Sequence, residues 1–90
     1  MKCARCGLEV SWPASISKIE RSALLELAYR SRIESVRALV ERHKMRLADA
    51  KTIGAHLPEG VGKCSRGCSA PAIAGQRSCP TCKALTLGAD

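Results

Sequence analysis

Cys64-Ser65-Arg66-Gly67-Cys68 and, ten residues further on, Cys79-Pro80-Thr81-Cys82 form the stretch that decides how this 90-residue chain folds. Each pair separates its thiols by two or three residues. One tight turn then presents two sulfurs to one ion, and two such turns supply the four soft donors of a tetrahedral zinc site. Gly67 and Pro80 lie inside the ligand turns, where constrained backbone is useful. The spacing predicts a zinc ribbon or knuckle with Zn2+ on Cys64, Cys68, Cys79 and Cys82. Reduced structural thiols need no paired spacing, so they explain the pattern poorly.

Cys3-Ala4-Arg5-Cys6-Gly7 is a third pair of the same kind. Six cysteines do not divide into complete four-cysteine sites. Two histidines raise the ligand total to eight, which would suit two tetrahedral ions. His43 and His56 lie at opposite ends of an expected helix, roughly 15 Å apart at 1.5 Å per residue, so they hardly share an ion. Three arrangements stay open for Cys3 and Cys6: a four-thiolate site with Cys79 and Cys82, a second site with His56 and one outside ligand, or no metal. A redox role expects a βαβ context that is missing here. The expectation is chain ends lying close together, with all six cysteines near one or two zinc ions. The stretch Met1–Cys6 has no apolar run of signal-peptide length, and no segment approaches a membrane span. A cytoplasmic location is therefore expected, where thiols stay reduced and cysteines read as ligands before disulfides.

The composition makes such a staple useful. Hydrophobic residues are 46% of the chain, but there is no Phe, one Trp and one Tyr. A core of Leu, Ile, Val and Ala in a chain this short buries little, and domains of this size commonly lean on a metal or a disulfide.

The chain divides into residues 1–15, a short cysteine-containing head; 16–57, a helical core with neither Cys nor Pro; and 58–90, rich in Gly, Pro and Cys. Ser17-Lys18-Ile19-Glu20 has the Ser-x-x-Glu form of a capping box and predicts a helix start, with Ile16 ahead of it as a staple. Ile19, Ala23, Leu24, Leu27 and Ala28 follow at helical spacing. Ser31-Arg32-Ile33-Glu34 has the same form and predicts a second helix with an apolar face of Ile33, Val36, Leu39 and Val40. Leu47, Ala50, Ile53 and Leu57 predict a third. The phase of the apolar stripe changes at His43-Lys44-Met45-Arg46, although no Gly or Pro marks a break and one long bent helix would also fit. Pro58 and Gly60 stop the last helix. The fold class is thus a small, mainly α, zinc-binding domain of about three helices flanked by knuckle or ribbon segments at both ends.

Fifteen Lys and Arg against eight Asp and Glu give a net charge of +7. That favours acidic partners. Seven of the basic residues fall between Arg30 and Lys51, opposed by Glu34, Glu41 and Asp49. Arg30, Arg37 and Lys44 recur every seven residues and share a face only in an unbroken helix. Stacking aromatics are nearly missing, which argues against a single-strand nucleic-acid platform.

The run from Arg32 to Lys51 resembles the helical hairpin of the bacterial ribosomal stalk protein's C-terminal domain. Ile33, Val36, Leu39, Leu47 and Ala50 match that hairpin's apolar positions, and Arg32, Arg37 and Lys51 match basic ones. Lys44 and Arg46 stand where the family's turn carries glycines, and Val40 and Ala48 replace basic residues. The stalk domain's strands are not visible. The resemblance covers about twenty residues and implies a similar hairpin, whose basic surface docks translation factors in that family. Short bacterial proteins, mostly without assigned function, also combine such a hairpin with Cys-x-x-Cys pairs.

The functional expectation is a non-catalytic, zinc-stabilised adaptor. It binds an acidic protein surface, in the translation or transcription machinery, through Arg32, Arg37, Lys44, Arg46 and Lys51. The alternative is a nucleic-acid-binding regulator with the second and third helices as a helix-turn-helix-like pair. A hydrolase would need an open metal position and a general base, and no His-Glu-x-x-His motif is present. No small-molecule substrate and no membrane partner are indicated. Self-association through the leucine face of the first helix remains an expectation to test.

Overall fold

A computed structural model describes residues 2–60, 63–68, 77–79 and 82–88. Pro80, Thr81 and the connection 69–76 between the two C-terminal cysteine pairs lie outside the described residues. Three helices carry the fold: α1 (Lys18–Arg30), α2 (Arg32–Glu41) and α3 (Leu47–Ala55). Two short strands follow, β1 (Arg77–Ser78) and β2 (Leu85–Thr86), paired antiparallel with Arg77 opposite Thr86 and Ser78 opposite Leu85. No helix among the described residues is long and apolar enough to cross a membrane.

The start of α1 is the capping box that the sequence predicts. The Ser17 hydroxyl accepts from the Glu20 amide at 3.3 Å, and the Glu20 carboxylate accepts from the Ser17 amide at 3.1 Å. Those bonds to the Ser17 backbone and side chain hold the Glu20 carboxyl below its ordinary pKa. Ile16 is buried just ahead of the cap.

Ser31 both ends α1 and begins α2, in an extended conformation (φ −160°, ψ 117°). Its side chain makes no capping bond, so the second expected box is present in sequence form only. The hydroxyl is not needed to turn the chain: the Ser31 amide closes α1 on the Leu27 carbonyl at 2.7 Å. With α1 and α2 separated there, Arg30, Arg37 and Lys44 share no continuous helix face.

The phase change at 43–46 is a real break. Lys44 takes a left-handed conformation (φ 57°), and the Met45 amide returns to the Leu39 carbonyl at 3.2 Å. The chain thus makes, without glycine, a left-handed step that glycine makes more cheaply. α2 and α3 then pack so closely that a Cβ on Gly54 would collide with the Val36 side chain.

The core draws on every part of the chain. Leu24, Leu25 and Ala28 of α1, Ala38 and Leu39 of α2, and Ala50 and Ile53 of α3 meet Val10 and Trp12 from the head and Leu85 and Leu87 from the tail. Four residues of the expected apolar faces point outward instead, Ala23 among them. Ile19 is 83% exposed, Ile33 76% and Leu47 55%. Helical spacing identifies a stripe, but not which edge of the stripe faces the interior.

The tail is the seam of the molecule. The Trp12 indole donates to the Gly88 carbonyl at 2.8 Å, and the Leu87 amide donates to the His56 carbonyl at 2.8 Å. The Ser65 hydroxyl donates to the Leu85 carbonyl at 3.0 Å, while the Thr86 hydroxyl accepts from the Ser65 amide at 2.9 Å. Head, third helix and both cysteine-bearing segments are therefore joined through residues 84–88.

Candidate metal centres

Two of the cysteine turns share their closing hydrogen bonds and a left-handed residue at the same point. In the first, the Cys3 amide bonds the Leu8 carbonyl and the Gly7 amide bonds the Cys3 carbonyl, both at 2.8 Å. In the second, the Cys79 amide bonds the Ala84 carbonyl at 2.8 Å and the Lys83 amide bonds the Cys79 carbonyl at 2.9 Å. The residue after the second cysteine is left-handed in each, Gly7 at φ 76° and Lys83 at φ 66°. That geometry brings two thiols three residues apart to one side of the turn. An isolated antiparallel bridge between Lys2 and Glu9 closes the base of the first turn, and β1 pairing with β2 closes the second.

The Cys64–Cys68 turn is built differently. Gly67 supplies the left-handed residue at φ 87°, inside the ligand pair rather than after it, as the extra residue requires. The amides of Arg66 and Cys68 both point at the Cys64 sulfur, at 3.3 Å. Amides aimed at a sulfur stabilise the thiolate, which is the form a metal takes.

These turns assemble into two clusters. Cys64, Cys68, Cys79 and Cys82 bring four sulfurs within 4.8 Å of one another, with Cys64 and Cys79 buried and the other two partly exposed. The Cys64 and Cys82 sulfurs are 3.7 Å apart. Cys68 is pushed up to about 12 by its hydrogen bonds with the Cys82 and Cys64 thiols, helped by burial and by their charge. Four thiolates at this spacing repel, and a cation among them is what would relieve the repulsion. A set of four convergent sulfurs fits a divalent, thiophilic metal.

The second cluster is Cys3, Cys6 and His56, again within 4.8 Å. His56 caps the C-terminus of α3 and is 7% exposed. Its Nδ1 lies 2.6 Å from the Thr52 carbonyl, an acceptor only, so Nδ1 carries the proton. That leaves the Nε2 lone pair facing the Cys6 sulfur at 3.4 Å. A carbonyl that fixes tautomer and ring orientation is the usual outer support of a metal-binding histidine. The Leu85 amide donates to the Cys3 sulfur at 3.4 Å. Burial works against the Cys3 thiolate, but this bond and others from Cys6 and Arg5 outweigh it and bring the thiol down to about 6.

Of the arrangements left open for Cys3 and Cys6, the structure brings them to His56. Cys79 and Cys82 go with Cys64 and Cys68. His43 takes no part: its Nδ1 lies 3.6 Å from the Glu20 carboxylate. The two clusters are neighbours, because the Arg5 guanidinium donates to the Cys82 carbonyl at 3.2 Å.

The expected partner-binding residues separate into three groups. Arg32 is partly buried and ties α2 to its neighbours, donating to the Gly54 carbonyl at 2.9 Å and the Ser65 carbonyl at 3.2 Å. Arg37 and Lys51 are exposed and line a groove of about 510 Å3 between α2 and α3. Lys44 and Arg46 sit in the turn, Arg46 as the N-cap residue of α3, and neither lines that groove.

The sequence also held a signal for the side of the second cluster. Thr52 stands four residues before His56 on a predicted helix, so its carbonyl is within reach of the ring. The cleft beside this cluster has a volume of about 430 Å3. Comparison of the chain with known protein families, with curated proteins and with solved structures finds no match.

Proposed function

We propose that this protein is a non-catalytic adaptor, stapled by zinc at Cys64, Cys68, Cys79 and Cys82, whose α2–α3 groove takes an acidic, apolar segment of a partner protein. The observation that carries this reading is the groove itself. Ile33, Val36, Val40, Leu47 and Ala55 give it an apolar lining, and Ile33 and Leu47 stand largely exposed to water there. Arg37 and Lys51 border it, against one acid, Glu41, while Arg32 beside them is held by the Gly54 and Ser65 carbonyls. An apolar strip with a basic border matches a partner helix that has leucines on one face and carboxylates beside them. The chain's net charge of +7 favours the same partners. The resemblance of residues 32–51 to the stalk-protein hairpin supports the reading, since the matched apolar positions include Ile33, Val36 and Leu47.

Zinc suits the four-thiolate cluster because it imposes no geometry beyond the tetrahedron and binds sulfur strongly. With four protein ligands it has no position for a substrate. Its part is to hold the tail hairpin and the Cys64 turn against the helices.

Selection of random 16-residue peptides on the zinc-loaded, full-length chain tests this. Enriched peptides are expected to be acidic and apolar, to weaken as salt rises, and to be lost on Ile33→Asp. Arg37→Glu should weaken them several-fold. No enrichment, or enrichment indifferent to Ile33→Asp, overturns the proposal. Tight, saturable retention of duplex DNA with a steep salt dependence would favour the nucleic-acid reading in its place.

A further inference from the structure

We propose that Cys3, Cys6 and His56 form a second metal centre whose fourth coordination position is open and accepts a small anion from the adjoining basic cleft. The three ligands of this centre lie outside the groove, although Lys51 and Ala55 line both the groove and the cleft. Three ligand atoms converge within 4.8 Å, two sulfurs and one nitrogen. Nε2 of His56 is held as an acceptor by the bond from Nδ1–H to the Thr52 carbonyl. Cys3 is anchored by the Leu85 amide, which points at its sulfur.

The side of the cluster away from the core determines what completes it. Cys6 is exposed and, with Cys3 and His56, lines the 430 Å3 cleft. Among the described residues, the remaining lining includes Arg5, Lys51 and Arg66, but no carboxylate and no further cysteine or histidine. The hydroxyls present are engaged: Thr52 donates to the Ala48 carbonyl and Ser65 to the Leu85 carbonyl. A divalent ion on two thiolates and a neutral imidazole has no net charge left. Arg5 is committed to the Cys82 carbonyl, which leaves Lys51 and Arg66 as the cations lining the cleft, so an anion is favoured over water as the fourth ligand.

Cobalt(II) is the probe, because its visible spectrum reports ligand number and exchange while it occupies zinc sites. The full-length, reduced chain should bind two cobalt ions. Azide should shift part of the spectrum saturably and leave the four-thiolate part unchanged. Cys6→Ser and His56→Ala should each remove the azide response, and Cys6 is exposed enough for its variant to keep the fold. Arg66→Ala should keep both cobalt ions and weaken azide several-fold. One cobalt per folded chain overturns the proposal. So do two cobalts with no azide response, or a response that survives Cys6→Ser. The peptide selection on the groove reads none of these signals, so either reading can fail alone.

Discussion

The turn at Cys3–Leu8 and the turn at Cys79–Ala84 make the same two backbone hydrogen bonds and place a left-handed residue at the same point. They end in different clusters. The second meets the Cys64–Cys68 turn and closes on four sulfurs. The first meets the end of α3 and gathers two sulfurs and one imidazole, with a cleft where a fourth ligand would stand. A ligand turn therefore determines how two thiols are presented and nothing more. The element packed opposite decides whether the thiols meet two further sulfurs or one imidazole.

The largest effect should come from breaking the closed cluster. Cys64 is fully buried, and its sulfur receives two amides. A structural zinc site contributes on the order of 10 kcal/mol to folding, comparable with the whole stability of a small domain, about 5–15 kcal/mol. Cys64→Ser should abolish the cooperative thermal transition followed by circular dichroism, whereas Cys6→Ser should leave a cooperative transition. Equal loss in both variants would mean that the two clusters share the structural load.

Chelator competition sharpens the contrast further. If both proposed centres fill with zinc, a colorimetric chelator should release the metal in two phases. The faster phase belongs to the three-ligand centre and should vanish in His56→Ala. A single phase, or a faster phase retained in that variant, would contradict the difference between the sites.

The smallest effect tests the equivalence of the turns themselves. A residue with a Cβ at a left-handed position costs about 1 kcal/mol relative to glycine. Gly7→Ala should therefore destabilise the metal-loaded protein by about 1 kcal/mol in urea, and Lys83→Gly should stabilise it by a similar amount. Shifts of the same sign would show that the two turns are not interchangeable.

What the sequence made legible is what is local. The Ser17–Glu20 box, the stop at Pro58 and the three helices each depend on residues within one or two turns of each other, and α3 ends at Ala55, just ahead of that proline. The Cys-x-x-Cys spacing likewise fixes each turn. The assignment of turns to clusters is not local. Cys6 and His56 are 50 residues apart, and Cys3 meets the Leu85 amide across 82. Nothing in either segment encodes the other except the packing of the core between them. Ile33 and Leu47 stand outside the core for a related reason. An apolar residue at helical spacing looks the same whether it faces the interior or a groove, and only the presence of a facing element separates the two. Arg32 shows the converse, since a basic residue expected on a docking surface is spent on two backbone carbonyls.

The seam at residues 84–88 also sets a clock on how the protein can be made. At translation rates of 5–20 residues per second, the 82 residues between Cys3 and Leu85 take roughly 4–16 s to synthesise. Through that interval the Cys3 thiol lacks the Leu85 amide, and for the earlier part of it Cys6 lacks His56, 50 residues further on. The surroundings of the Cys3–Cys6 turn are thus completed by residues made much later than the turn. Oxidants and adventitious ions in the cell have those seconds in which to capture it, so the yield of correctly metallated protein should depend on the reducing power and metal supply at the moment of synthesis.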